Sequence, residues 1–293
     1  MAKFLWTQKS DFGLGPRFGH AMAFDSNRGR TVLFGGTGAG RAILGDTWEW
    51  DGSFWTQMAD SGPGPRTDHA MVYDSARQVS LLFGGSRPAE PPDSPDLGDT
   101  WQWDGQDWTQ LANSGPIPRS HHAMAFDSSR NRTVLFGGTA QGQNSPLLDT
   151  WEFDGQEWTQ QADTKPHVED PTMAFDSTGV RVLLFDGATV QTWSWNGASW
   201  VQIAELGPPL RVGTAMTAVA SSIVLFGGGR GDPPIKGDTW RFDGEHWTQI
   251  QNIGPAPRTG HALTFDSTRD AVVLFGGFAA LDSILGDTWE HNT

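Results

Sequence analysis

The chain of 293 residues is long enough for two average domains or one large all-β domain, and its 37% hydrophobic residues with 37 Gly make an ordinary globular core. Fifteen Trp stand against one Tyr and no Cys, which excludes a disulfide scaffold, a thiolate metal site, a cysteine nucleophile and any cofactor built on sulfur. A net charge of −14 argues against nucleic acid and anionic membrane surfaces as partners, because both need clustered Lys and Arg.

In chain order, Met1–Gln8 has no long apolar run before its first charge, so no leader is expected and a cytoplasmic monomer is. Within it, residues 4–8 read as an outer strand with no inner neighbours. The first full unit, about residues 16–58, reads as four strands. Gly19–Asp25 and Arg30–Phe34 are joined by the polar turn at 26–29. Asp46–Asp51 and Phe54–Met58 are joined at Asp51-Gly52, where Gly accepts positive φ. The same pattern recurs at about 65–111, 118–161, 167–203, 210–250 and 257–291. Phe-Gly-Gly marks the second strands at 34–36, 83–85, 136–138, 226–228 and 275–277, with Phe185-Asp186-Gly187 as the variant. Asp-Thr-Trp marks the third at 46–48, 99–101, 149–151, 238–240 and 287–289, with Gln191 replacing the Asp once. The last unit lacks a fourth strand, which residues 4–8 would supply. A single all-β, six-bladed propeller closed by its two chain ends is therefore expected, with four antiparallel strands per blade.

The Gly-Gly doublet after an apolar strand, followed by a spaced Trp, resembles the kelch repeat. Six copies over residues 4–291 make the resemblance specific for fold. For function it implies little, since kelch propellers include scaffolds, ligand binders and a few enzymes. The copper oxidases of this fold use a Cys–Tyr cofactor; here Cys is absent and Tyr73 sits at a first-strand Phe position. The iron-binding Glu-x3-Asp-x3-His run of the plant specifier proteins is absent too.

Repeated residues are explained by the fold. The Trp residues are expected to pack between blades. His20, His69, His122 and His261 share one position and are expected to make a buried structural hydrogen bond. Arg17, Arg66, Arg119, Arg211 and Arg258 share another; the fourth blade, which has Val168 there, also has Gln191 for Asp. Their joint loss points to an Arg–Asp ion pair within each blade, with an arginine-lined channel for an anion as the other reading.

Function is sought where the repeat breaks. The position before the shared His reads Gly19, Asp68, His121, Asp170, Gly213 and Gly260 through the blades. With Glu169, Asp186 and His167 nearby, blades two to four are expected to present Asp68, His121, Glu169, Asp170 and Asp186 at one side of the channel mouth. Phe18, Phe278 and Phe12 form an apolar wall opposite, and His167 lies close to the ligand. This is the profile of a small-ligand pocket. The first reading is a binding module whose loop-bearing face and channel mouth hold a small molecule or a protein partner. The alternative is a non-redox enzyme of isomerase, lyase or cyclase, or hydrolase type. In it the acidic set works by acid–base chemistry or holds a divalent metal through Asp68, His121, Glu169 and Asp170; no other cofactor is expected. A third reading leaves these residues as solvated acidic loops. The Pro-rich loop Ser86–Gly98 is expected over the channel as a lid or contact loop, opposite the short loop of blade four.

Overall fold

A computed structural model describes residues 5–9, 13–87, 95–112, 114–161, 166–229, 234–279 and 283–292. It contains six antiparallel sheets arranged in a ring. In blade one the strands run Ala21–Asp25, Arg30–Gly38, Ile43–Trp50 and Trp55–Ala59 from the axis outward. Blade six consists of Ala262–Asp266, Ala271–Ala279 and Ser283–Asn292, completed by Trp6–Gln8 from the amino-terminal segment. Trp6 pairs with His291 and Gln8 with Trp289. The described residues contain one short 3-10 turn, Ala39–Arg41, and no helix long enough to cross a membrane.

Second strands are buried on both faces and read as continuous apolar runs, as in Val32-Leu33-Phe34, all fully buried. The core is divided into six clusters, each spanning the seam between two neighbouring blades. Inner strands put Met on one face and Ala on the other. Met22 packs toward blade six, whereas Ala21 and Ala23 pack toward blade two.

One contact repeats at every seam. The first Trp of each outer strand packs edge-on against the Phe of Phe-Gly-Gly in the preceding blade, and its indole N–H donates to that blade's Thr hydroxyl. Trp108 meets Phe34 at 5.2 Å between ring centroids and donates to Thr47 at 2.8 Å. The set continues with Trp158 on Phe83 and Thr100, and Trp200 on Phe136 and Thr150. Trp247 follows on Phe185 and Thr192, and Trp55 on Phe275 and Thr288. Trp6 makes the sixth copy, on Phe226 and Thr239, so the amino-terminal strand closes the ring by the same contact.

The Arg–Asp pairs are present in five blades and absent from blade four. Arg119 bonds both oxygens of Asp149, at 2.7 and 2.9 Å, and also the carbonyls of Gly137 and Ile117. Asp149 in turn accepts the Trp151 indole N–H. These guanidiniums are 0–2% exposed, so they tie strands together and do not line a channel for an anion. In blade four Val168 is buried at the Arg position and the Trp193 indole nitrogen has no partner. The Gly-Gly doublet makes room for the next blade. A Cβ on Gly35, which sits at φ +62, would lie 2.7 Å from the Arg66 carbonyl and 3.2 Å from the His69 ring.

The shared His rings are fully enclosed, and each lies against the backbone of the Phe it stacks on: His20 against Phe275, His69 against Phe34, His122 against Phe83 and His261 against Phe226, a backbone hydrogen bond at the long edge of good geometry. Each ring also packs edge-to-face on that Phe, at 5.4–5.6 Å, so the imidazole fills a flat slot between blades as well as facing a backbone acceptor.

Two outcomes follow for stability. Trp6→Ala removes the closing contact and should cost about 3–5 kcal/mol in urea denaturation, as for a buried aromatic in a core. The second concerns pH. Burial, aided by the adjacent Arg, holds the four imidazoles below their usual pKa, to about 3 for His122 and His261. Unfolded imidazoles titrate near 6.5, so below that pH the unfolded state binds more protons and stability falls. The loss should approach ~1.4 kcal/mol per imidazole for each pH unit below about 6.5. Urea midpoints at pH 7.5 and 5.5 measure it, and His122→Asn should lessen the difference.

Candidate functional site

In five blades the residue before the shared His position contributes to an arc of backbone hydrogen bonds around the channel mouth. The N–H of Asp68 donates to Gly19 O at 2.7 Å, His121 to Asp68 at 3.0 Å, Gly19 to Gly260 at 2.9 Å and Gly260 to Gly213 at 3.0 Å. These five residues share a left-handed conformation, φ +56 to +64. Blade four breaks the ring. Its inner strand begins at Pro171, and a residue that precedes proline is pushed to extended backbone, so Asp170 does not take the left-handed turn. Its carboxylate accepts the Gly213 N–H at 2.7 Å where a carbonyl would otherwise do so.

Above this ring lies a cavity of about 630 Å³ with two unlike walls. Asp68, His121 and Asp170 form one wall. Phe18, Phe278, Ile284, Val212 and Ile235 form the other, with Phe18 and Phe278 edge-to-face at 5.7 Å. Blades one and six raise the apolar wall because their second and third strands continue past the doublet. Phe278 pairs with Ile284 in that extension, and the Phe18 backbone pairs with Thr37. The turn of the blade-one extension carries Arg41, exposed at the cavity lip.

Asp68 Oδ2 lies 3.8 Å from His121 Nε2, and His121 Nδ1 lies 3.3 Å from the Ser120 hydroxyl. Burial raises the Asp68 carboxyl. Burial also pushes Asp170 up to about 6, against the opposing pull of the Gly213 N–H and His121. Among the described residues eight non-glycines have positive φ. Six of them lie in tight turns, Arg41 at the cavity lip among them, and the other two, Asp68 and His121, both line this cavity. A side chain in that conformation is disfavoured by roughly 1–2 kcal/mol, less for Asp, and at the position of Asp68 and His121 three other blades carry Gly.

The remaining expected residues lie elsewhere. Asp186 is fully buried beneath the mouth, where it accepts the Thr189 hydroxyl at 2.6 Å and the Ala188 N–H at 3.1 Å and so shapes the short blade-four turn. Glu169 and His167 point to solvent, 60% and 71% exposed, and are 3.9 Å from each other. Glu169 and Asp170 lie in a bend before the strand, and of the two Asp170 is the one turned toward Gly213. Phe12 and residues 88–94 of the Pro-rich loop lie outside the described residues. Among the described residues no three His, Asp or Glu side chains group as a metal would require, so the set Asp68, His121, Glu169 and Asp170 is not assembled. Arg41, Ile284, Val212 and Ile235 are not among the residues expected from the sequence; the apolar residues Phe278, Ile284 and Leu285 on either side of the blade-six turn were the available signal for Ile284.

Asp170→Asn tests the electrostatics of this wall. A carboxyl with a raised folded pKa favours the fold below its unfolded pKa and loses that contribution as pH rises through about 6. The amide keeps an oxygen for the Gly213 N–H. The variant should therefore unfold at higher urea than the wild type at pH 7.5, with the difference shrinking at pH 4.

A family model for the KLHDC2/KLHL20/DRC7 Kelch-repeats domain matches residues 5–185. A solved structure of YjhT superposes with a TM-score of 0.72 at 14% identity, covering 95% of this chain and 96% of that one, a likeness of fold. A search of curated protein sequences returns no match. The family match spans more than half of the chain, and its blade pattern continues through all six sheets: the protein belongs to the kelch-repeat propellers.

Proposed function

We propose that this propeller is a binding protein that holds a small molecule at its channel mouth. The observation that carries this reading is convergence. Phe18, Asp68, His121, Asp170 and Phe278, each a departure from the repeat, line one cavity although they come from five blades. A volume near 630 Å³ with an apolar wall and a few placed polar groups is the usual form of a small-ligand site. Kelch propellers commonly bind proteins, and a protein partner on the same face is the other occupant of this class.

A second reading, a non-redox enzyme, is favoured by one observation. Asp170, pushed up to about 6 by burial, shares the wall with His121, so a carboxyl and an imidazole stand together for acid–base chemistry.

Saturation-transfer NMR with a mixed library of small aromatic and alicyclic amines, alcohols and carboxylates tests both. Hits are expected for the wild type and should vanish in Phe18→Ala/Phe278→Ala with the fold intact. Hits that persist in the double variant, or none at all, would overturn the binding reading. New signals that grow from a bound compound, and fail to grow with Asp170→Asn, would establish turnover.

A further inference from the structure

Resting on that reading, we infer that the mouth selects an organic cation: a primary ammonium carried on an apolar, aromatic-sized body. Asp68 and Asp170 bring two carboxylates to the same wall of the cavity. A carboxylate offers about four acceptor sites. Asp170 fills one with the Gly213 N–H, and among the described residues the Thr67 hydroxyl and His121 stand beside Asp68. Both residues line the cavity, and an ammonium supplies three donors for the acceptor sites that remain.

The other charges around the site agree. Asp186 lies beneath Asp170, and Asp96 adds its field to Asp68; both oppose an anion. Arg41 is the fixed positive charge of the lining, and it stands solvated at the lip on blade one. Across from the acids, Phe18 and Phe278 present an aromatic pair with Ile284 and Val212 beside it. Ring faces attract cations and cover the apolar body. The protein's net charge of −14 adds a long-range field that draws cations toward this mouth.

The test is calorimetric titration of the full chain at pH 7.5 with three probes of one shape: 2-phenylethylammonium, 2-phenylethanol and 3-phenylpropanoate. The ammonium should bind at least about 10-fold tighter than the alcohol, the equivalent of one charge-assisted bond. Asp170→Asn and Asp68→Asn should each remove about that factor, with thermal melting as the control for folding. Lowering the pH to 5 should weaken the ammonium while leaving the alcohol unchanged. Equal binding of ammonium and alcohol, or tighter binding of the carboxylate, would overturn the cation assignment. If those two probes are lost in Phe18→Ala/Phe278→Ala, the small-ligand reading survives without it. Absence of ammonium binding up to about 10 mM overturns the assignment as well. Binding of the other library members then decides the broader reading.

Discussion

Everything in this molecule is held by an indole set into the notch between a Phe and a Thr of the preceding blade. A four-stranded sheet cannot bury both its faces alone, so each blade is completed by its neighbours. The contact joins a large apolar area to a hydrogen bond with one allowed geometry, so it sets distance and angle together. Because Trp6 supplies the sixth copy from the other end of the chain, the ring has no open seam. Closure and blade packing are one interaction repeated.

The Arg–Asp pairs and Gly-Gly doublets add precision inside that frame. A buried guanidinium needs its full set of acceptors, and the Asp, the two carbonyls and the indole that shares the Asp provide a satisfied network. Blade four gives up the Arg, the Asp and the first Gly together, which is consistent with a unit that is kept or lost as a whole. It also gives up the shared His for Pro171, and that proline turns Asp170 out of the backbone ring so that its carboxylate replaces a carbonyl. The symmetry of the mouth is thus broken at the blade least bound by the repeat.

How far the sequence could be read depends on register. Positions equivalent under the repeat lie at equal distance from the axis. A departure such as Asp68, His121 or Asp170 at one register position therefore lands on one ring, and Phe18 with Phe278 could be placed opposite by the same logic. Direction was not legible. Glu169 and His167 share the segment but face water, and Asp186 sits at the ring's depth but is consumed by its own turn. The shared His read as a hydrogen-bonding residue; its stacking on the Phe of the preceding blade, which packs as much as it bonds, was not legible.

By itself the sequence determined the architecture: the number of blades, the strand that closes them and the Trp and Arg contacts between elements. Six near-identical solutions of one packing problem can be read from their spacing alone. Only the tertiary structure decided which exceptions meet. Arg41 and Ile284 reach the mouth because the hairpins of blades one and six extend past the doublet. Asp170 turns inward because proline denies it the left-handed turn. Such outcomes depend on backbone direction at irregular joints, where no repeat constrains the chain.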